Sequence, residues 1–123
     1  MNPVKSRKLK RSSQSLLLLH AQSPDGAVWL EKRPGTGIWA GLYCMPVFKS
    51  RDDLAAALAP KTRSKLRDDP AFLHVLTHKD LHLHPVAAQV KAAALNKNVG
   101  GWFDARQWPA LGLPAPIRKL LSA

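Results

Sequence analysis

Two residue types are nearly missing from this 123-residue chain. Cys44 is the only cysteine and Glu31 the only glutamate. One thiol cannot close an intramolecular disulfide or build a four-thiolate zinc or iron–sulfur site. It fits a reducing compartment. One glutamate removes every hydrolase mechanism that gathers several glutamates around magnesium. Long apolar runs are absent too: neither Leu16 to Leu19 nor Leu54 to Ala59 comes near the roughly 20 residues a membrane span needs. No apolar core with a cleavage site follows the basic start, so the expectation is a soluble, unsecreted chain with no membrane partner.

Positive charge is abundant. Nineteen Lys and Arg face eight acidic residues, a formal charge of +11 and a pI near 10.4. Such an excess favours a polyanion, because neutralising phosphates releases counterions. With 46% apolar residues the chain can bury one core, so a single domain is expected. Residues 1–12, with Lys5, Arg7, Lys8, Lys10 and Arg11, have almost nothing to bury and read as a basic tether; folding is expected from Ser13 to the end at 123.

Apolar runs on either side of Ser23-Pro24-Asp25-Gly26 predict a β-hairpin. After Pro34, Gly35 and Gly37, the segment Ile38 to Pro46 reads as a compact loop entering a strand. Ser50 with Asp53 three residues on predicts a capped helix through Leu54, Ala57 and Leu58 that stops near Pro60. Residues 60–70 read as a connecting loop with some helix. Phe72 to Leu76 and Leu81 to Val90 alternate as two strands around Thr77-His78-Lys79-Asp80. Trp102-Phe103 opens a last extended segment, and Pro114 starts a helix with Ile117, Leu120 and Leu121 on one face. The sum is α+β, a mixed or antiparallel sheet flanked by short helices.

Candidate chemistry is thin. The aspartates fall in turns, caps and loops, with Asp104 capping a turn after Trp102, and none makes a convincing acid–base pair. His74 and His78 bracket a strand end and His82 and His84 share a strand face, yet no cysteine or carboxylate completes a metal set. Cys44 lies in an apolar run, as an inert buried thiol does. The tryptophans sit among apolar neighbours and are read mostly as core, and the Gly35-x-Gly37 pair as a tight turn. Neither a catalytic nor a metal site is expected.

The stretch Lys32-Arg33-Pro34-Gly35-Thr36-Gly37-Ile38-Trp39-Ala40-Gly41-Leu42-Tyr43-Cys44-Met45-Pro46 resembles the signature of the C-terminal domain of bacterial A/G-specific adenine DNA glycosylases. Phe72 to His78 resembles that family's strand ending in a Phe-Ser-His loop, Pro85 falls where its proline is usual, and Trp102-Phe103 with Gly112 to Leu121 resembles its closing stretch. The resemblance covers about residues 13 to 121. It implies a Nudix-like fold that reads 8-oxoguanine opposite adenine in double-stranded DNA, in the bacterial cytoplasm at the nucleoid. A separate N-terminal glycosylase domain would excise the adenine and carry the iron–sulfur cluster; this domain would need no cofactor. By the same resemblance Leu76, Thr77, His78 and Lys79 are the lesion-binding residues, supported by His74, Arg33, Trp39 and Tyr43. Thr77 stands for the family serine, His78 for its histidine, and Leu76 replaces a phenylalanine as a wedge beside the base step. Two alternatives remain: a Nudix-type hydrolase of oxidised nucleotides, and a basic RNA-binding domain.

Overall fold

The computed structural model describes residues 12–91 and 99–122. The expected basic tether lies outside them, except that Ser12 already belongs to the first strand. The elements are β1 (Ser12–Gln22), β2 (Val28–Lys32), β3 (Tyr43–Cys44), β4 (Val47–Phe48), α1 (Arg51–Ala56), α2 (Pro60–Arg63), β5 (Arg67–Asp68), β6 (Phe72–Val75), β7 (Lys79–Gln89), β8 (Gly100–Phe103) and α3 (Ala115–Ser122). A short 3-10 turn, Trp108–Ala110, precedes α3.

The sheet is mixed. Its main path runs β3-β2-β1-β7-β5, with β4 on β1, β6 on β7 and β8 on β2. The expected turn closes β1 onto β2, with Gly26 at φ +92° and Ser23 N–H donating to Ala27 O at 2.9 Å. The hairpin register is confined to Gln22 opposite Val28, however, and the length of β1 pairs in parallel with β7, from Ser12 opposite Lys79 to Gln22 opposite Gln89. That pairing explains the leucine run. Leu16 and Leu18 enter one core cluster with Leu81, Leu83 and Ile117, while Leu19 enters the other with Trp29, Leu54, Val86 and Ala88. A strand covered on both faces reads as a continuous apolar stretch. Each such leucine contributes about 1.5–3 kcal/mol relative to leaving it in water.

The Ser50 hydroxyl caps α1 by accepting from Asp53 N–H at 3.1 Å, and the helix lays Leu54 on the second cluster. It ends at Ala56, two residues before the expected Leu58, which is nonetheless buried. Arg63 Nε donates to Ala55 O at 2.7 Å and Leu58 O at 2.9 Å, satisfying carbonyls at the helix end. Three elements were not expected from the sequence, β4, β5 and the 3-10 turn. Strand β5 is two exposed polar residues, paired through the backbone to β7 and with Asp68 accepting from Arg51 Nη1 at 2.8 Å, so it carries no hydrophobic signature.

Pro85 sits inside β7 without breaking it. Its carbonyl accepts from Asp69 N–H at 3.0 Å, so its missing N–H points to that same edge, between the residues paired with β6 and with β5. No helix among the described residues is long and apolar enough to cross a membrane.

Candidate nucleic-acid interface at the β6–β7 tip

Strand β6 returns into β7 through a tight reversal in which Leu76 N–H donates to Lys79 O at 2.8 Å. Thr77 and His78 are exposed at its apex. The alternation of β6 decides what lies behind them: Phe72, His74 and Leu76 turn toward the first core cluster, and Leu73 and Val75 turn outward, 53% and 59% exposed. Leu76 is therefore half-buried against the core as the root of the tip. It does not project as a free wedge.

The chain enters the domain beside this tip. Ser12 pairs with Lys79, and Gln14 Oε1 accepts from Lys79 Nζ at 3.2 Å. That hydrogen bond ties the Lys79 ammonium to β1. On the same side, the Trp39 ring stands 6.5 Å from the His74 imidazole, and a cleft of about 190 Å³ opens between Gln14, Arg33, Trp39 and Lys49. Gln14 and Lys49 were missed from the sequence. Only the parallel β1–β7 register and the β1–β4 pairing bring them there, and neither has a local signal.

The loop that carries Trp39 is closed on itself. Arg33 N–H donates to Leu42 O at 2.7 Å, Gly41 N–H to Pro34 O at 2.9 Å and Arg33 Nε to Ile38 O at 3.4 Å. Its path requires Gly37 at φ +90° and Gly41 at +74°, and it holds Trp39 at φ +55°, a conformation that costs an L-residue roughly 1–2 kcal/mol. The geometry thus joins Arg33, Trp39 and His74 to the tip. Tyr43 is not brought there: it pairs with Lys32 at the far edge of the sheet, three strands from β7, and its ring meets Phe103 edge-on at 5.7 Å.

The groups that could do chemistry elsewhere are otherwise engaged. Glu31 accepts from the buried Trp29 indole N–H at 2.9 Å, satisfying a polar atom at the heart of the second cluster. Burial pushes the Cys44 thiol up to about 12, so it offers no thiolate at neutral pH, as expected of an inert core cysteine. Asp104 Oδ1 accepts from the backbone N–H groups of Arg106 and Gln107, the turn cap expected of it. Magnesium, the ion needed by the glutamate-clustering hydrolase mechanisms, finds no matching donor set among the described residues. Helix α1 offers only the exposed Asp52 and Asp53, and among the described residues no three His, Cys, Asp or Glu side chains come together to hold a metal.

The adenine DNA glycosylase of Buchnera aphidicola subsp. Baizongia pistaciae is 28% identical to this chain over 100 residues, 77% of the chain but 28% of that protein. The chain thus spans little more than a quarter of the length of that curated relative. Among solved structures, the C-terminal domain of mouse MUTYH, crystallised with human PCNA, superposes with a TM-score of 0.68 at 14% identity, covering 88% of this chain and 84% of that one. The MutT protein of Methanosarcina mazei Go1 superposes at 0.63, also at 14% identity, covering 93% and 94%. Those likenesses fix the fold, and the NUDIX domain model matches residues 17–123. By that match over most of its length, the chain belongs to the NUDIX domain family.

Proposed function

We propose that this chain is the lesion-reading domain of an adenine DNA glycosylase, a DNA-repair module that recognises 8-oxoguanine paired with adenine and cuts no bond itself. One observation carries the reading: a hydroxyl and an imidazole, Thr77 and His78, are exposed at the apex of a hairpin whose root is packed into the core. The similarity to adenine DNA glycosylases supports the DNA-repair role.

The chemistry follows from the lesion. Guanine shows an acceptor at N7 in the major groove, and 8-oxoguanine replaces it with an N–H beside a new C8 carbonyl. A reader needs an acceptor for that N–H and a donor for that oxygen. The Thr77 hydroxyl serves as the acceptor and the His78 ring N–H as the donor, to the carbonyl or to a neighbouring phosphate. Lys79, tied to Gln14, and His74, beside Trp39, fix the direction in which the tip is presented. Excision of the adenine, and any iron–sulfur cluster, belong in this reading to a separate glycosylase domain.

The test is the ratio of affinities of the chain for otherwise identical duplexes containing 8-oxoguanine:A or G:A. Wild type should prefer the lesion, and Thr77→Ala with His78→Ala should lose about 1–3 kcal/mol of that preference. A wild-type chain that binds both duplexes equally, or a double variant that keeps its preference, overturns the assignment.

A further inference from the structure

The arginines and lysines of this domain are used differently. Arg33, Arg63 and Arg118 donate to backbone carbonyls, and Arg51, Arg67 and Arg106 face Asp68, Asp69 and Asp104. Lysines carry the charge left over. Three of them, Lys61, Lys65 and Lys91, converge on one groove of about 340 Å³ between α2 and the end of β7, joined by Thr62 and Gln89. All three are exposed, no carboxylate lines the groove, and none of the three has an ion pair among the described residues.

A groove with three uncommitted ammonium groups and no acid is complementary to a row of phosphates, which lysine meets as a point charge. Its position is as informative as its charge. Lys91 lies just past the end of β7 opposite to the tip, and 11 residues of strand separate the two ends by about 33 Å. One turn of B-DNA advances by about 34 Å.

We propose that the Lys61–Lys65–Lys91 groove is a second contact for the backbone of duplex DNA, about one helical turn from the base met by the tip. Its placement along the duplex rests on the lesion-reading proposal. The groove's affinity for phosphates does not. A duplex laid along β7 would be held at both ends of the strand, one end reading a base and the other only the phosphates.

The test uses the full chain with Lys61→Gln, Lys65→Gln and Lys91→Gln combined, three exposed changes whose folding is checked by circular dichroism. Binding to duplexes of about three helical turns, undamaged or with a central 8-oxoguanine:A, is followed by fluorescence anisotropy between about 50 and 200 mM salt. The slope of log affinity against log salt should become shallower by roughly 2–3 on both duplexes, about 0.9 for each phosphate no longer neutralised. The preference for the lesion should stay as in wild type. On a duplex with about 6 base pairs on each side of the lesion, too short to reach the groove, wild type and variant should bind alike.

An unchanged salt slope on the long duplex, or no duplex binding by wild type at the lowest salt, overturns the proposal. A difference that persists on the short duplex overturns the one-turn placement. Tighter lysine-dependent binding to poly-L-glutamate or to an RNA hairpin would assign the groove to another class of partner and overturn it equally. Thr77→Ala with His78→Ala, measured on the same duplexes, reports on the tip alone, so lesion reading and the lysine groove fail separately.

Discussion

Between Lys79 and His84, β7 buries Leu81 and Leu83 and leaves His82 exposed; from Pro85 to Ala88 every residue is buried. The two halves share one backbone and one parallel partner, β1, yet obey different rules. The first half is covered on one face by the core and shows the alternation that water imposes on the other. The second half lies beneath Leu54 and Leu58 as well, so its second face is also dry and the alternation vanishes. The open half ends in the tip with Thr77 and His78, and the closed half ends at the lysine groove.

The largest expected effect breaks the shared face. Leu83→Ala removes a side chain with no exposure and should cost about 2–5 kcal/mol in urea unfolding. A loss below about 1 kcal/mol would show that the open half is not packed as described. Next come Ala87→Leu and Ala88→Leu, which point to opposite faces of the closed half. Both should overpack, at about 1–3 kcal/mol each, because neither face has room. If one of the two proves neutral, that face is open and the contrast between the halves collapses. Ser50→Ala acts one step removed, by freeing the Asp53 N–H at the start of the helix that roofs the closed half, and should cost about 1 kcal/mol. Faster amide exchange in α1 than in β6 would be its signature.

Local signals were legible in the sequence: period-two alternation marked residues 81 to 90 as one strand across both halves, and the Ser50 cap marked α1. The parallel union of β1 with β7 was not, since it joins residues more than 60 positions apart and leaves no mark in either segment. Three site features stayed hidden with it: Gln14 beside Lys79, Lys49 in the Trp39 cleft, and the removal of Tyr43 to the opposite edge. The exposure of Leu73 and Val75 was equally silent, because alternation says that two faces differ and never which one stays open. The tip residues were singled out by resemblance to a family motif, and composition alone would have left them an ordinary turn.

A smaller effect sharpens the comparison from the open side. His82→Ala lies beside Leu83 in sequence and across the sheet from it in space, and should change stability by no more than about 0.5 kcal/mol. Set against Leu83→Ala, it measures the one-sidedness of the strand directly; a cost near that of Leu83 would mean that something covers the outer face.

The smallest effect belongs to the closed half and depends on pH. His20 stands opposite Ala87 in the β1–β7 register, and its pKa is lowered chiefly by burial, with Asp69 pulling it up and Arg67 pushing it down. The unfolded chain, whose histidine titrates near 6.5, therefore takes up a proton before the folded chain does. Stability from this group is complete above that pH and declines as the pH falls through the interval between the unfolded and folded values. Urea midpoints taken from about pH 7.5 down to about pH 5 should fall more steeply for wild type than for His20→Gln. If the two proteins lose stability in parallel, His20 is as hydrated as the histidines of the open half, and the closed half is not dry at its edge.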